Sequence, residues 1–183
     1  MAKIIFISGP CGCGKTTLTN AFVRPMVNRD HKTMYVIHGD DFQKGFKEPD
    51  DKGAFFVDGQ ASDTVHWEDI LRFNWDCMMH TAERALADGL DVVIDYIIET
   101  EMPRVKDLAE KTGSDLYYIV LTATEEELVR RIRYRGDTDL VERAKFLKRE
   151  LDAMPENQGH LLDNTGLMAE EIIESIDLDK FRV

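Results

Sequence analysis

The sequence is poor in several features that mark other classes of protein. Only three of its 183 residues are cysteine. Three cysteines are too few for a disulfide framework, and an odd number cannot all form pairs. No apolar run approaches the roughly 18 residues of a membrane-spanning helix, and no signal peptide precedes the first apolar segment. These absences predict a cytoplasmic chain that folds without disulfides and does not enter a membrane.

Basic residues are also scarce relative to acidic ones. Lys and Arg total 23 against 35 for Asp and Glu, so the formal net charge at pH 7 is −12. Proteins that grip long nucleic acids or anionic membranes need a basic surface. The composition therefore argues against both partners, although it does not exclude a local basic pocket. Hydrophobic residues make up 43% of the chain, enough for one domain over residues 1–183. Whether the chain is a monomer or a homodimer stays open.

Short apolar segments alternate with helical patterns along the chain. The apolar segments are continuous runs, which is typical of strands covered on both faces. Candidate strands occupy residues 3–8, 33–38, 91–98, 116–121 and 160–163. Helical patterns cover about 15–28, 65–87, 103–111, 138–153 and 169–176, and one more helix begins after Thr124. This alternation predicts a three-layer α/β fold, a parallel sheet with helices on both faces. Ligands of such sheets bind beyond the carboxyl ends of the strands.

The segment after the first strand carries a phosphate-binding motif. Residues 9–17 read GPCGCGKTT, which fits G-x-x-x-x-G-K-[ST] between a strand and a helix. Glycines let backbone N–H groups converge on phosphate. Lys15 is expected to reach the β- and γ-phosphates, and the Thr16 hydroxyl to ligate Mg²⁺. The nucleotide-binding residues predicted from the motif are Gly9, Cys11, Gly12, Cys13, Gly14, Lys15, Thr16 and Thr17.

Two of the three cysteines lie inside this motif. Cys11 and Cys13 are separated by one residue and have no obvious second Cys or His pair, so they are a poor zinc site. We expect small side chains at these positions because the backbone folds closely over phosphate there.

Carboxylates follow the second and third strands. Residues 38–42 read HGDDF, and one of the two aspartates is expected to orient Mg²⁺ or to accept the proton of an attacking hydroxyl. Asp40 is preferred over Asp41, with turn capping as the alternative. Asp95 lies in an apolar run, where an unpaired charge is costly. A carboxylate of the Mg²⁺ site, a structural hydrogen bond and substrate contact all remain open for it. Tyr96 occupies the position where an ATPase with this phosphate loop usually has a Glu that activates water. The absence of that Glu favours transfer to an acceptor over hydrolysis.

An arginine-rich helix follows the fourth strand, opened by the capping-box pattern T-E-E-E at 124–127. Four arginines fall within six residues and repel one another unless an anion is near. Arg131 and Arg135 share a helix face and are predicted to stabilise charge on a transferring phosphoryl group. Arg130 and Arg133 fit a solvated face paired with glutamates.

Taken in order, GPCGCGKT, GDDF, VVIDY and the helix with R-x-x-x-R resemble the small P-loop kinases. This group holds gluconate kinase, shikimate kinase, chloramphenicol phosphotransferase and the nucleoside and nucleoside-monophosphate kinases, and the chain is most similar to bacterial gluconate-kinase-like proteins. The resemblance implies a five-stranded sheet in the order 2-3-1-4-5 and a small lid at about 130–145. It also implies that Asp40, two residues before Phe42, is the general base. Asn164 falls in a segment that resembles the stretch packed against adenine.

The sequence therefore predicts a kinase that uses ATP and Mg²⁺ to phosphorylate a hydroxyl of a small metabolite, such as a sugar acid, a nucleoside or an antibiotic. An insertion at 43–64 is expected on the acceptor side. The predicted catalytic residues are Lys15, Asp40, Arg131 and Arg135, and the predicted metal-site residues are Thr16, Asp40 and Asp95. Two alternatives remain open: a nucleotide-binding NTPase or switch without an acceptor, and a kinase for a nucleotide or nucleotide sugar.

Overall fold

The strands form one sheet in the order β2-β3-β1-β4-β5, in a computed structural model that describes residues 2–46 and 65–183. Each neighbouring pair of strands is parallel. The strands are β1 (Lys3–Ser8), β2 (Met34–His38), β3 (Asp91–Asp95), β4 (Asp115–Thr122) and β5 (Leu161–Asp163). The sheet order expected from the resemblance is confirmed.

Helices cover both faces of this sheet, as the alternating pattern predicts. They are α1 (Lys15–Asp30), α2 (Gly39–Gln43), α3 (Trp67–Ala87), α4 (Met102–Thr112), α5 (Glu125–Arg135), α6 (Val141–Ala153) and α7 (Ala169–Ser175). The short helix α2 was not predicted, and two aspartates in its first turn suit the positive end of its dipole. An insertion is expected at 43–64, and its residues 47–64 lie outside the described part of the chain.

Two apolar cores form because successive residues of each central strand point to opposite faces. In β1, Ile4 and Phe6 join one core and Ile5 and Ile7 join the other, all fully buried. Helices α3 and α4 contribute to the first core, and α1 and α7 to the second. Burial on both faces explains why the central strands read as continuous apolar runs.

Stacked aromatic rings connect the first core to the carboxyl edge of the sheet. Phe6 stacks on Trp75 with centroids 5.9 Å apart, and Trp75 meets Tyr96 edge-to-face at 5.7 Å. Trp75 and Met78 of α3 are buried core residues. Tyr96 is therefore held in place from within the core.

Strand β3 is shorter than predicted and ends at Asp95 instead of residue 98. The Tyr96 amide still donates to the Ile7 carbonyl at 3.3 Å. The Ile98 amide donates to the Ser8 side chain at 2.9 Å, so the backbone has left the strand ladder. Asp95 consequently lies at the carboxyl edge of the sheet and not within a longer strand.

Candidate nucleotide and acceptor site

The loop between β1 and α1 has the backbone geometry that the phosphate motif requires. Gly9, Gly12 and Gly14 have φ values of +143°, +76° and +97°, which side chains rarely adopt. A Cβ on Gly9 would lie 2.5 Å from the Leu121 carbonyl, and one on Gly12 would lie 2.6 Å from Ile132. Helix α1 has no side-chain cap, so no capping side chain competes with an anion for its first N–H groups.

The cysteines of this loop differ in exposure. Cys13 is fully buried, and its Sγ is 2.8 Å from where a Cβ on Gly9 would lie. Burial raises the pKa of the Cys13 thiol, which keeps it neutral near pH 7. Cys11 is half-buried. In the described part of the chain, no group of three or more Cys, His, Asp or Glu is arranged to hold a metal.

The Lys15 side chain folds back onto the phosphate loop. Its Nζ donates to the carbonyls of Gly9 and Pro10 at 2.9 and 3.2 Å. Burial alone would lower the pKa of Lys15, but the electrostatic effects of Cys13 and Cys11, and then those of the Asp40 and Asp95 carboxylates, raise it above its ordinary value. The side chain therefore remains an ammonium close to both predicted carboxylates.

Asp95 joins the phosphate loop to the neighbouring strand β2. The Thr16 hydroxyl donates to Asp95 Oδ1 at 3.0 Å, and His38 Nδ1 lies 2.5 Å from Oδ2. The carboxylate is only 3% exposed. Sequence reasoning missed His38, although it is the last residue of β2 and is paired directly with Asp95 in the sheet register. The structure thus brings the two predicted residues Thr16 and Asp95 together.

The two aspartates of α2 have different surroundings. Asp41 pairs with Lys44 at 2.5 Å on the surface. Asp40 is exposed, and its charge acts on both the Lys15 ammonium and the Tyr96 phenol. Among the described residues, no hydrogen bond or ion pair engages the Asp40 carboxylate. Asp40 is therefore the aspartate available to a ligand at this edge.

Arg131 and Asn164 form hydrogen bonds with the backbone of the phosphate loop. Arg131 donates to the Cys13 carbonyl at 3.1 Å, to the Asn164 carbonyl at 2.9 Å and to Glu127 at 2.7 Å. The Asn164 amide donates to the same Cys13 carbonyl at 2.7 Å. Hydrogen bonds from Arg130, and then from Arg131, lower the pKa of Glu127 to about 2. Both predicted residues thus contact the loop backbone.

The remaining arginines lie away from the phosphate loop. Arg135 pairs with Asp137 at 2.8 Å, and no contact in the described residues joins it to the loop. Arg143 at the start of α6 pairs with Glu99 beyond β3 at 2.6 Å. The structure therefore brings Arg131, and not Arg135, to the phosphate loop. Thr17, which was predicted to bind the nucleotide, is exposed on the first turn of α1.

A buried polar group lies between the end of α2 and Tyr96. Asn74 of α3 is fully buried, and its amide lies 3.4 Å from both Gln43 and the Tyr96 hydroxyl. Burial, and then the charges of Asp40, Glu101 and Glu99, raise the pKa of Tyr96 to about 12, so the phenol stays neutral. The helical spacing of α3 marks Asn74 only as a core position, so sequence reasoning gave no signal for it.

Comparisons with known proteins agree with this geometry. Residues 5–165 match the AAA domain family. The guanylate kinase of Geobacter metallireducens is 26% identical over 163 residues, which cover 82% of this chain and 71% of that protein.

Two solved kinase structures share the fold. The APS kinase of Mycobacterium tuberculosis, in complex with AMPPNP and APS, has a TM-score of 0.62 at 17% identity and covers 94% of both chains. A gluconokinase from Sinorhizobium meliloti has a TM-score of 0.56 at 16% identity, covering 98% of this chain and 91% of that one. Within the described residues, no helix is both long enough and apolar enough to span a membrane. The glycine loop and the sheet order are those of the small P-loop kinase fold. The family match over residues 5–165 shows that the chain belongs to the AAA domain family.

Proposed function

We propose that this chain transfers the γ-phosphoryl group of ATP, bound with Mg²⁺, to a hydroxyl of a small metabolite. The observation that carries the proposal is Asp40, an exposed carboxylate without a partner among the described residues, whose charge reaches Lys15. A carboxylate in this position can accept the proton of an acceptor hydroxyl.

The nucleotide side of the site fits ATP with Mg²⁺. The glycine loop leaves no room for side chains at Gly9 and Gly12, so its backbone N–H groups can approach phosphate closely. Thr16 and Asp95 together offer the oxygen donors that Mg²⁺ prefers. When bound, Mg²⁺ would neutralise charge on the phosphates. Lys15 would hold the transferred group as a point charge.

Among the described residues, charge near the site favours a hydroxyl over a phosphate as acceptor. A phosphate acceptor, such as the guanylate named in the Geobacter relative, needs cations that are free to bind it. Here Lys44 pairs with Asp41, and Arg143 pairs with Glu99. The buried Tyr96 instead lies in the field of three carboxylates. A nucleotide or nucleotide-sugar kinase is therefore the second candidate, supported by the relative but not by the charges of the described residues.

Two matched variants test the assignment of Asp40. Asp40→Asn is expected to lower turnover by about 10²–10⁴-fold, because removing a general base has effects of that size. Nucleotide affinity should stay near the wild-type value. Asp41→Asn, one residue away and paired on the surface, should keep most activity. The measurement is ADP formation with pooled hydroxylated metabolites, alongside calorimetric titration with a non-hydrolysable ATP analogue.

The opposite pattern would remove Asp40 from the mechanism. An Asp40→Asn enzyme with full acceptor-dependent turnover, or equal losses in both variants, contradicts a base at that position. ADP formation that no hydroxylated compound accelerates contradicts the acceptor assignment and favours an NTPase or switch.

A further inference from the structure

His38 contacts the candidate magnesium site from outside the phosphate loop. Its Nδ1 lies 2.5 Å from Asp95 Oδ2, and the Thr16 hydroxyl donates to Asp95 Oδ1 at 3.0 Å. Each oxygen of this carboxylate thus has its own partner. An ionised carboxylate oxygen can only accept a hydrogen bond, so the imidazole donates from Nδ1.

Burial makes this arrangement more than a surface ion pair. Asp95 is 3% exposed and the His38 side chain 26% exposed, so the buried carboxylate depends on a few fixed donors. Without the imidazole, Oδ2 would lose its partner in the described residues, and the carboxylate would be free to turn away from Thr16. Parallel pairing of β2 with β3 holds His38 opposite Asp95 by backbone register.

We propose that His38 is a positioning residue for the nucleotide-bound magnesium, acting through Asp95. It anchors Oδ2 and so keeps Oδ1 directed at the Thr16 hydroxyl before the ligand arrives. This assignment rests on the proposed function, since it requires that Thr16 and Asp95 serve Mg²⁺. Groups that orient a metal-site residue in this way typically change metal affinity by 10–100-fold when removed.

The test measures how the binding of a non-hydrolysable ATP analogue depends on Mg²⁺ concentration. His38→Leu removes the donor, and we expect the Mg²⁺ concentration for half-maximal tightening to rise about 10–100-fold. Binding of the analogue without Mg²⁺ should be unchanged. His38→Asn places an amide N–H near the position of Nδ1 and is expected to stay within a few-fold of wild type. His80→Leu is the control, because His80 is exposed and its hydrogen bond within the described residues goes to the Asp76 carbonyl of its own helix.

A further variant keeps the test decisive if His38→Leu does not fold. His38→Gln carries its amide near the position of the other ring nitrogen, so the Mg²⁺ concentration for half-maximal tightening should rise as it does in His38→Leu. A folded His38→Leu or His38→Gln protein with the wild-type Mg²⁺ response overturns the assignment of His38. A wild-type protein whose nucleotide binding ignores Mg²⁺ overturns the proposed function and this assignment with it.

Discussion

Gly39 shows how one absent side chain shapes the acceptor edge. A Cβ at this position would lie 2.3 Å from Cδ2 of Tyr96 and 2.8 Å from the Met78 sulfur. Tyr96 cannot move away easily, because it packs edge-to-face on Trp75 in the core. An added side chain at the first position of α2, next to Asp40, would therefore force this packing to shift.

Replacing this glycine should destabilise the protein through overpacking. Gly39→Ala is expected to lower the free energy of unfolding by about 1–3 kcal/mol, the usual cost of an added buried methyl without space. Gly159→Ala is the control, since a Cβ there meets nothing within 4 Å. Urea unfolding of both variants measures the difference. Equal stabilities for the two variants would show that Tyr96 does not confine the turn.

At the scale of elements, the N-terminus of α5 forms only half of the predicted capping box. The Thr124 side chain accepts from the Glu127 amide at 3.3 Å. The Glu127 carboxylate turns away from Thr124 and binds Arg130 and Arg131, because two guanidinium groups compete for it. The Thr124 amide donates instead to Thr165 after β5. This end of α5 is thereby tied to the segment that supports the phosphate loop.

The depressed pKa of Glu127 predicts a stability that depends on pH. Since folding lowers this pKa from 4.5 to about 2, the ionised carboxylate stabilises the fold above pH 4.5. That contribution is lost as the pH falls toward 2. In urea unfolding, Glu127→Gln should cost most stability near pH 6, and its difference from wild type should shrink by pH 3. The exposed Glu126 serves as control, and a pH-independent effect of Glu127→Gln would contradict the account.

The sequence predicted the elements better than it predicted their ends and neighbours. Continuous apolar runs located each strand of the described residues to within three residues at each end, and the phosphate motif located the loop. The contact of His38 with Asp95 depends on pairing between strands more than fifty residues apart, which periodicity does not encode. The helical spacing of Arg131 gives a face but not its contact with the Cys13 carbonyl. Asn74 was missed because buried polar residues share the spacing of apolar ones.

At the scale of the whole molecule, the sheet order explains why these residues meet. Strand β1 lies between β3 and β4, and β2 lies beyond β3. The glycine loop, Asp95 and the β2–α2 turn therefore share one carboxyl edge, as expected for ligand sites of parallel sheets. Nucleotide and acceptor groups can then approach from neighbouring loops. We propose that the phosphoryl group is transferred at this edge to a hydroxyl, and not to water or to another phosphate.

Phosphorus-31 NMR of the reaction mixture tests that claim most directly, because it identifies the bond that the γ-phosphoryl group forms. Wild-type enzyme is incubated with ATP, Mg²⁺ and pooled polyols, nucleosides and nucleoside monophosphates, with Lys15→Ala as the inactive control. We expect a new phosphate monoester resonance that grows as ATP declines, and none with Lys15→Ala. Growth of inorganic phosphate alone, or of a new diphosphate resonance beyond that of ADP, would contradict it.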